Sequence, residues 1–281
     1  DPTLGKLRGR SPFVLLPVAN PAHAQAMMGI ANAIAPSSVG RVLLLSIVTS
    51  RSDDEVHNDL REAQNVLQEA LSVSYAQGQR PEGLISRASS AWAEIKRVAI
   101  EHRCQSLLLG LGQISEDSSN RKLFDLIEEV GCDVALMKSP TEWQLKDVRR
   151  VLVPVGGGGK VHELRARFLG SLTRSGQVEV TFLSVLSPSD SESSLRSRRQ
   201  IIERLAEVKL GGNIKFDVIQ SDDPVDTILS ASSKFDLIVL GFGRIAKSNF
   251  MENPAIRIAN GCDCAAILLS RRNSRLSLLD S

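Results

Sequence analysis

Four short phrases of the 281-residue chain occur twice, in the same order and at nearly constant spacing. Val14-Leu15-Leu16-Pro17-Val18 returns as Val151-Leu152-Val153-Pro154-Val155, with the prolines 137 residues apart. Leu45-Ser46-Ile47-Val48 returns as Leu183-Ser184-Val185-Leu186, with the serines 138 apart. Leu107-Leu108-Leu109-Gly110-Leu111-Gly112 returns as Ile238-Val239-Leu240-Gly241-Phe242-Gly243, with Gly110 and Gly241 131 apart. Gly131-Cys132-Asp133 matches Gly261-Cys262-Asp263 at a distance of 130. Such a chain is expected to fold as two copies of one unit. With only two copies it cannot be a solenoid, so each half must bury its own core. The length suits two domains of about 100–150 residues.

The first half alternates short apolar runs with amphipathic stretches. Phe13–Val18 and Val42–Val48 read as buried parallel strands, a weak strand is read near Leu84-Ile85, and Leu107–Leu109 and Val134–Met137 read as the next strands. Helices are predicted over about Ala22–Ile34, from Ser52, over Ala91–Glu101 and over Lys122–Val130. Ser52-Asp53-Asp54-Glu55 has capping-box spacing, and Val56, Leu60, Ala63, Leu67, Ala70 and Leu71 form a helical stripe. The β-α alternation is that of a doubly wound parallel sheet. The predicted fold class is therefore α/β, with two tandem five-stranded, Rossmann-type domains. The expected boundaries are an extension at 1–10, a first domain at 11–138, a linker at 139–148, a second domain at 149–271 and a tail at 272–281.

Charge and composition narrow the function. Lys+Arg 34 against Asp+Glu 32 leaves +2, which argues against a nucleic-acid partner, and aromatics at 4% leave no base-stacking platform. No apolar run reaches the ~20 residues a transmembrane helix needs. Cys104, Cys132, Cys262 and Cys264 are too few for a disulfide framework and are expected as buried thiols. The chain opens on Asp1 without Met, as expected of a piece cut from something longer or of a processed product.

Ligands of an open α/β sheet bind beyond the carboxyl ends of its strands. There the chain offers Gly156-Gly157-Gly158-Gly159-Lys160, a weak anion-site candidate: backbone N–H groups and a lysine at a predicted helix start. It is not a P-loop, because Pro154 and Val161 stand where Gly and Ser/Thr are required. Gly110–Gly112 and Gly241–Gly243 lack the third glycine of a dinucleotide fingerprint. His23 and His162 sit at the mouths of the two crevices without a recognisable nucleophile or orienting group, and read as surface histidines. Cys262 and Cys264 would share one strand face, but no second ligand pair completes a zinc site. Asp133 and Asp263 read as turn residues before a strand. Asp223-Pro224 reads as an N-cap followed by the first helical residue. No catalytic residue, metal or cofactor is expected.

The repeated Val-Pro-Val strand and the late strand ending in Gly resemble the universal stress protein family, over about Ser11–Lys138 and Arg149–Ser270. Members that bind ATP carry an Asp after the first strand and a G-x-x-G-x(9)-G-(S/T) pattern after the fourth. Here the Asp position is Ala19 or Gly156, and Gln113 and Arg244 replace the second glycine. The resemblance is thus to the ATP-independent branch. The phrases Leu15-Leu16-Pro17-Val18-Ala19-Asn20-Pro21, Arg149–Gly157 and Arg103–Leu111 resemble the cytosolic carboxyl-terminal region of amino acid–polyamine–cation superfamily transporters, prokaryotic cation–chloride cotransporters in particular. That resemblance implies a non-enzymatic regulatory or assembly domain on the cytoplasmic side of a membrane. Its partners would be the transmembrane domain of the same transporter and a second copy of the chain. The alternative is a soluble universal stress protein that senses a nucleotide or phosphate with its second domain only.

Overall fold

A computed structural model describes residues 12–20, 23–36, 38–49, 53–76, 78–111, 118–140, 142–156, 163–174, 176–191, 193, 196, 200, 213–242 and 252–270. They fall into two compact units, one formed mainly by residues up to Leu136 and one by Met137–Leu269. Both are α/β.

The first unit runs β1 (Phe13–Pro17), α1 (Ala24–Ile34), β2 (Arg41–Val48), α2 (Asp53–Ala76), β3 (Glu82–Arg87), α3 (Ala91–Glu101), β4 (Ser106–Gly110), α4 (Ser118–Glu129) and β5 (Asp133–Lys138), whose last two residues, Met137 and Lys138, belong to the second unit. Its strand order is β3-β2-β1-β4-β5. Strand β1 pairs in parallel with β2 on one side and with β4 on the other. The order reverses between β1 and β4, which makes their carboxyl ends the switch point. Val14, Leu15, Leu16, Leu44, Leu45, Leu107 and Leu108 are fully buried, as strands covered on both faces require. Helix α1 packs on α2, and α3 on α4.

The second unit runs β6 (Arg150–Pro154), α5 (Glu163–Thr173), β7 (Glu179–Leu186), β8 (Asn213–Gln220), α6 (Pro224–Ser232), β9 (Leu237–Phe242), α7 (Pro254–Gly261) and β10 (Ala265–Ser270). Its strand order is β8-β7-β6-β9-β10. The registers correspond pair by pair. Val14 faces Ser106 as Val151 faces Leu237, and Pro17 faces Leu45 as Pro154 faces Leu183.

Three local expectations change. Helix α2 keeps its buried stripe at Ala63, Val66, Leu67 and Ala70, but Leu60 is exposed and Leu71 only half-buried. Ser52, the expected cap, lies outside the described residues. Cys262 and Cys264 are not in a strand: they occupy the bend between α7 and β10. Strand β8 falls outside the apolar runs because it is an edge strand whose residues alternate between half-buried and exposed rather than forming one run. The segment 142–149 goes with the second unit, carries a 3-10 turn at Leu145–Asp147, and is fixed to Asp236. Trp143 Nε1 donates to the Asp236 carbonyl at 3.3 Å, and the Arg149 and Arg150 N–H groups donate to its carboxylate at 2.9 and 2.8 Å.

Candidate functional site: the two switch-point crevices

In the first unit the crevice lies where β1 ends at Val18-Ala19-Asn20 and β4 ends at Gly110-Leu111. Ala19 and Asn20 are exposed. Helix α1 lays Met27, 5% exposed, across the end of β4: a Cβ built on Gly110 would stand 3.3 Å from its Sδ. The floor of this crevice is therefore an apolar thioether.

The second unit repeats the arrangement with different chemistry. Helix α5 aligns with α1 at an offset of 138, and the burial pattern follows: Leu164, Arg165, Ala166, Phe168 and Leu169 are buried where Ala26, Met27, Met28, Ile30 and Ala31 are. Arg165 takes the place of Met27, and a Cβ on Gly241 would stand 3.7 Å from its Nη1. Arg165 is 9% exposed. Among the described residues its fully buried Nε–H, like that of Arg167, finds no acceptor, and burial pushes the guanidinium pKa of Arg165 down. Guanidinium remains charged in proteins, so the crevice holds a buried positive charge.

The residues singled out from the sequence fare differently. Gly156 is exposed, and a Cβ there would meet open space. Gly157, Gly158, Gly159 and Lys160 lie outside the described residues, as do Gly112, Gln113, His162, Gly243 and Arg244. His23 is the exposed residue preceding α1 and forms no side-chain cap. Asp133 begins β5, where its N–H donates to the Gln105 carbonyl at 3.0 Å. Asp223 does cap α6: its Oδ1 accepts from Val225 and Asp226 N–H at 3.0 Å each, with Pro224 opening the helix. Asn253-Pro254 repeats the device at α7.

The cysteines form no disulfide. Burial pushes the Cys104 thiol up to about 11. The Cys262 thiol donates to the carbonyls of Ala259 and Cys264 at 3.5 Å each. The neighbouring Cys264 thiol and the Lys138 ammonium hold the Cys262 thiol below its ordinary value, while Cys262 and burial push the Cys264 thiol up. Lys138 Nζ donates to the carbonyls of Ala259 and Asn260 at the end of α7, at 2.8 and 3.1 Å. Among the described residues no group of three or more His, Cys, Asp or Glu could hold a metal ion, and no helix is long and apolar enough to cross a membrane.

Arg165 is the residue that the sequence reading missed. The signal existed: the repeat places an arginine on the core face of a helix where its counterpart is methionine.

No family model matches the chain, and no curated protein matches it in sequence. Solved structures do match. A universal stress protein from Archaeoglobus fulgidus DSM 4304 is 14% identical, with a TM-score of 0.65 over 94% of this chain and 98% of that one. The cytoplasmic domain of a prokaryotic cation chloride cotransporter is 13% identical, with a TM-score of 0.64 over 95% of this chain and 99% of that one. The two five-stranded α/β units thus have, over nearly the whole chain, the fold of universal stress proteins and of a cation chloride cotransporter's cytoplasmic domain.

Proposed function

We propose that the chain is a non-enzymatic regulatory or assembly domain of a membrane transporter of the cation–chloride cotransporter or amino acid permease type, and that it acts on the cytoplasmic side without binding ATP. The observation that carries this reading is the end-to-end likeness to a cotransporter's cytoplasmic domain, which leaves almost none of either chain unmatched. The two crevices support it: among the described residues neither brings nucleophile, base and orienter together, and Ala19 and Gly156 stand where the ATP-binding family members have Asp. In this reading the chain is an internal duplication. Its working domains are 11–138 and 149–271, joined by 139–148, with 1–10 an extension and 272–281 a tail. Its partners are a transmembrane domain of the same polypeptide and a second copy of itself.

An antibody raised against the chain tests this in cells of the source organism. A species much larger than 30.5 kDa that stays with carbonate-washed membranes is the expected result. A soluble species of about the chain's own mass overturns it. The second reading, a soluble nucleotide or phosphate sensor, is favoured by the equal likeness to a universal stress protein, with Gly156–Lys160 as the cradle. Calorimetry with ATP and ADP on wild type and Lys160→Ala separates the two. Heat that the substitution abolishes belongs to the second reading.

A further inference from the structure

Arg165 has two properties that seldom coexist. The residue is 9% exposed, and among the described residues no acceptor meets its buried Nε–H and no carboxylate acts on its guanidinium. A buried charge is ordinarily matched, because removal from water costs the ion more than packing returns. The first unit shows that this fold does not need the charge: Met27 fills the same place against Gly110. The guanidinium also stands at the carboxyl end of β9, beside the point where the strand order reverses, and in the first turn of α5, where helix N–H groups add positive potential.

We propose that Arg165 anchors an oxyanion site in the second unit, recognising a phosphoryl group with the planar fork of its N–H donors. Arginine suits the task, since its fork matches two oxygens of one phosphate at once. Gly241 fits it too: with no side chain at the strand end, backbone and guanidinium border the same space. The first unit, with a thioether there, has no counterpart site. The proposal holds whether or not the chain serves a transporter, so the membrane-fraction experiment leaves it untouched.

The test uses the whole chain at constant ionic strength, titrated with inorganic phosphate and pyrophosphate against a chloride control. Thermal stability and calorimetric heat are read together. Saturable stabilisation of wild type is expected, unchanged in Arg167→Met and weakened roughly tenfold or more in Arg165→Met. Methionine is chosen because the first unit carries it there. An Arg165→Met variant that keeps the full response, or a wild type without a saturable one, overturns the proposal. Should Arg165→Met fail to fold, the wild-type Arg165 Nε–H resonance decides: a shift on adding pyrophosphate supports the site, and an unmoved resonance refutes it. ADP distinguishes the source of the phosphoryl group. Binding tighter than pyrophosphate points to a nucleotide, and equal binding to phosphate alone.

Discussion

Gly40 is the position where one added carbon should do most damage. It stands just before β2, between the end of α1 and the start of β1. A Cβ there would lie 2.6 Å from Ala35 Cβ, 2.9 Å from the Pro12 carbonyl oxygen and 3.0 Å from Ala35 Cα. Optimal carbon contacts are about 3.5–4.0 Å, so the shortfall approaches ~1 Å. No rotamer can absorb it, since every neighbour is backbone or a Cβ. The backbone is held as well: Gly40 N donates to Pro36 O at 2.7 Å and Arg41 N to Pro12 O at 2.8 Å. Overpacking of this kind costs about 1–3 kcal/mol, and the upper end applies where nothing yields. The restricted unfolded chain returns about 0.4–1 kcal/mol. Gly40→Ala should therefore lose roughly 2 kcal/mol, a drop in Tm of about 8 °C for a unit of this size. Urea unfolding followed by circular dichroism measures it, with Gly131→Ala as control. A Cβ on Gly131 meets nothing within 4 Å, so that variant should equal or slightly exceed wild type. Adding Ala35→Gly to Gly40→Ala removes the worst contact and should restore part of the loss. A Gly40→Ala midpoint equal to that of Gly131→Ala would refute the steric account.

Acid sensitivity should trace in part to Glu94, whose carboxylate accepts from Arg97 and Ser86. The Arg97 hydrogen bond, joined by that of Ser86, lowers its pKa against burial, so the stability it contributes is present above about 4.5 and lost as pH falls below it. Glu94→Gln should flatten that limb of a pH–stability profile and destabilise by about 1 kcal/mol at neutral pH. Lys138→Met should raise the pKa of Cys262, seen as thiolate ultraviolet absorbance appearing at higher pH, because it removes a cation that favours the thiolate. Asp223→Ala should cost about 1 kcal/mol by leaving the first N–H groups of α6 uncapped, and Asn253→Ala a similar amount at α7.

What could be read from the residues follows physical lines. Strands buried on both faces write themselves as continuous apolar runs, so β1, β2, β4, β5, β6 and β9 were legible, and the spacing of their turns gave the recurrence. The edge strands are more exposed: β3 offers only the weak run Leu84-Ile85, and β8 offers none. Asp223-Pro224 was legible because a cap is a local device. Arg165 was legible only through the repeat, which sets it opposite Met27; taken alone, a charged residue in a helix that also carries Arg167 looks like solvent-facing charge, because burial is a property of the assembled crevice. The cysteine pair failed for a related reason. Its proximity comes from a bend, whose residues do not alternate as a strand's do.

Asp236 has a practical consequence for anyone who wishes to use the second unit alone. Its main-chain carbonyl and carboxylate together hold Trp143, Arg149 and Arg150, so the segment ahead of β6 behaves as the unit's foundation rather than as slack rope. An excision that begins at Arg150, where β6 begins, would strip the indole and one amide from that aspartate and leave a frayed edge. A cut upstream of Trp143 keeps the footing, and the portable module is thus several residues longer than the repeat advertises.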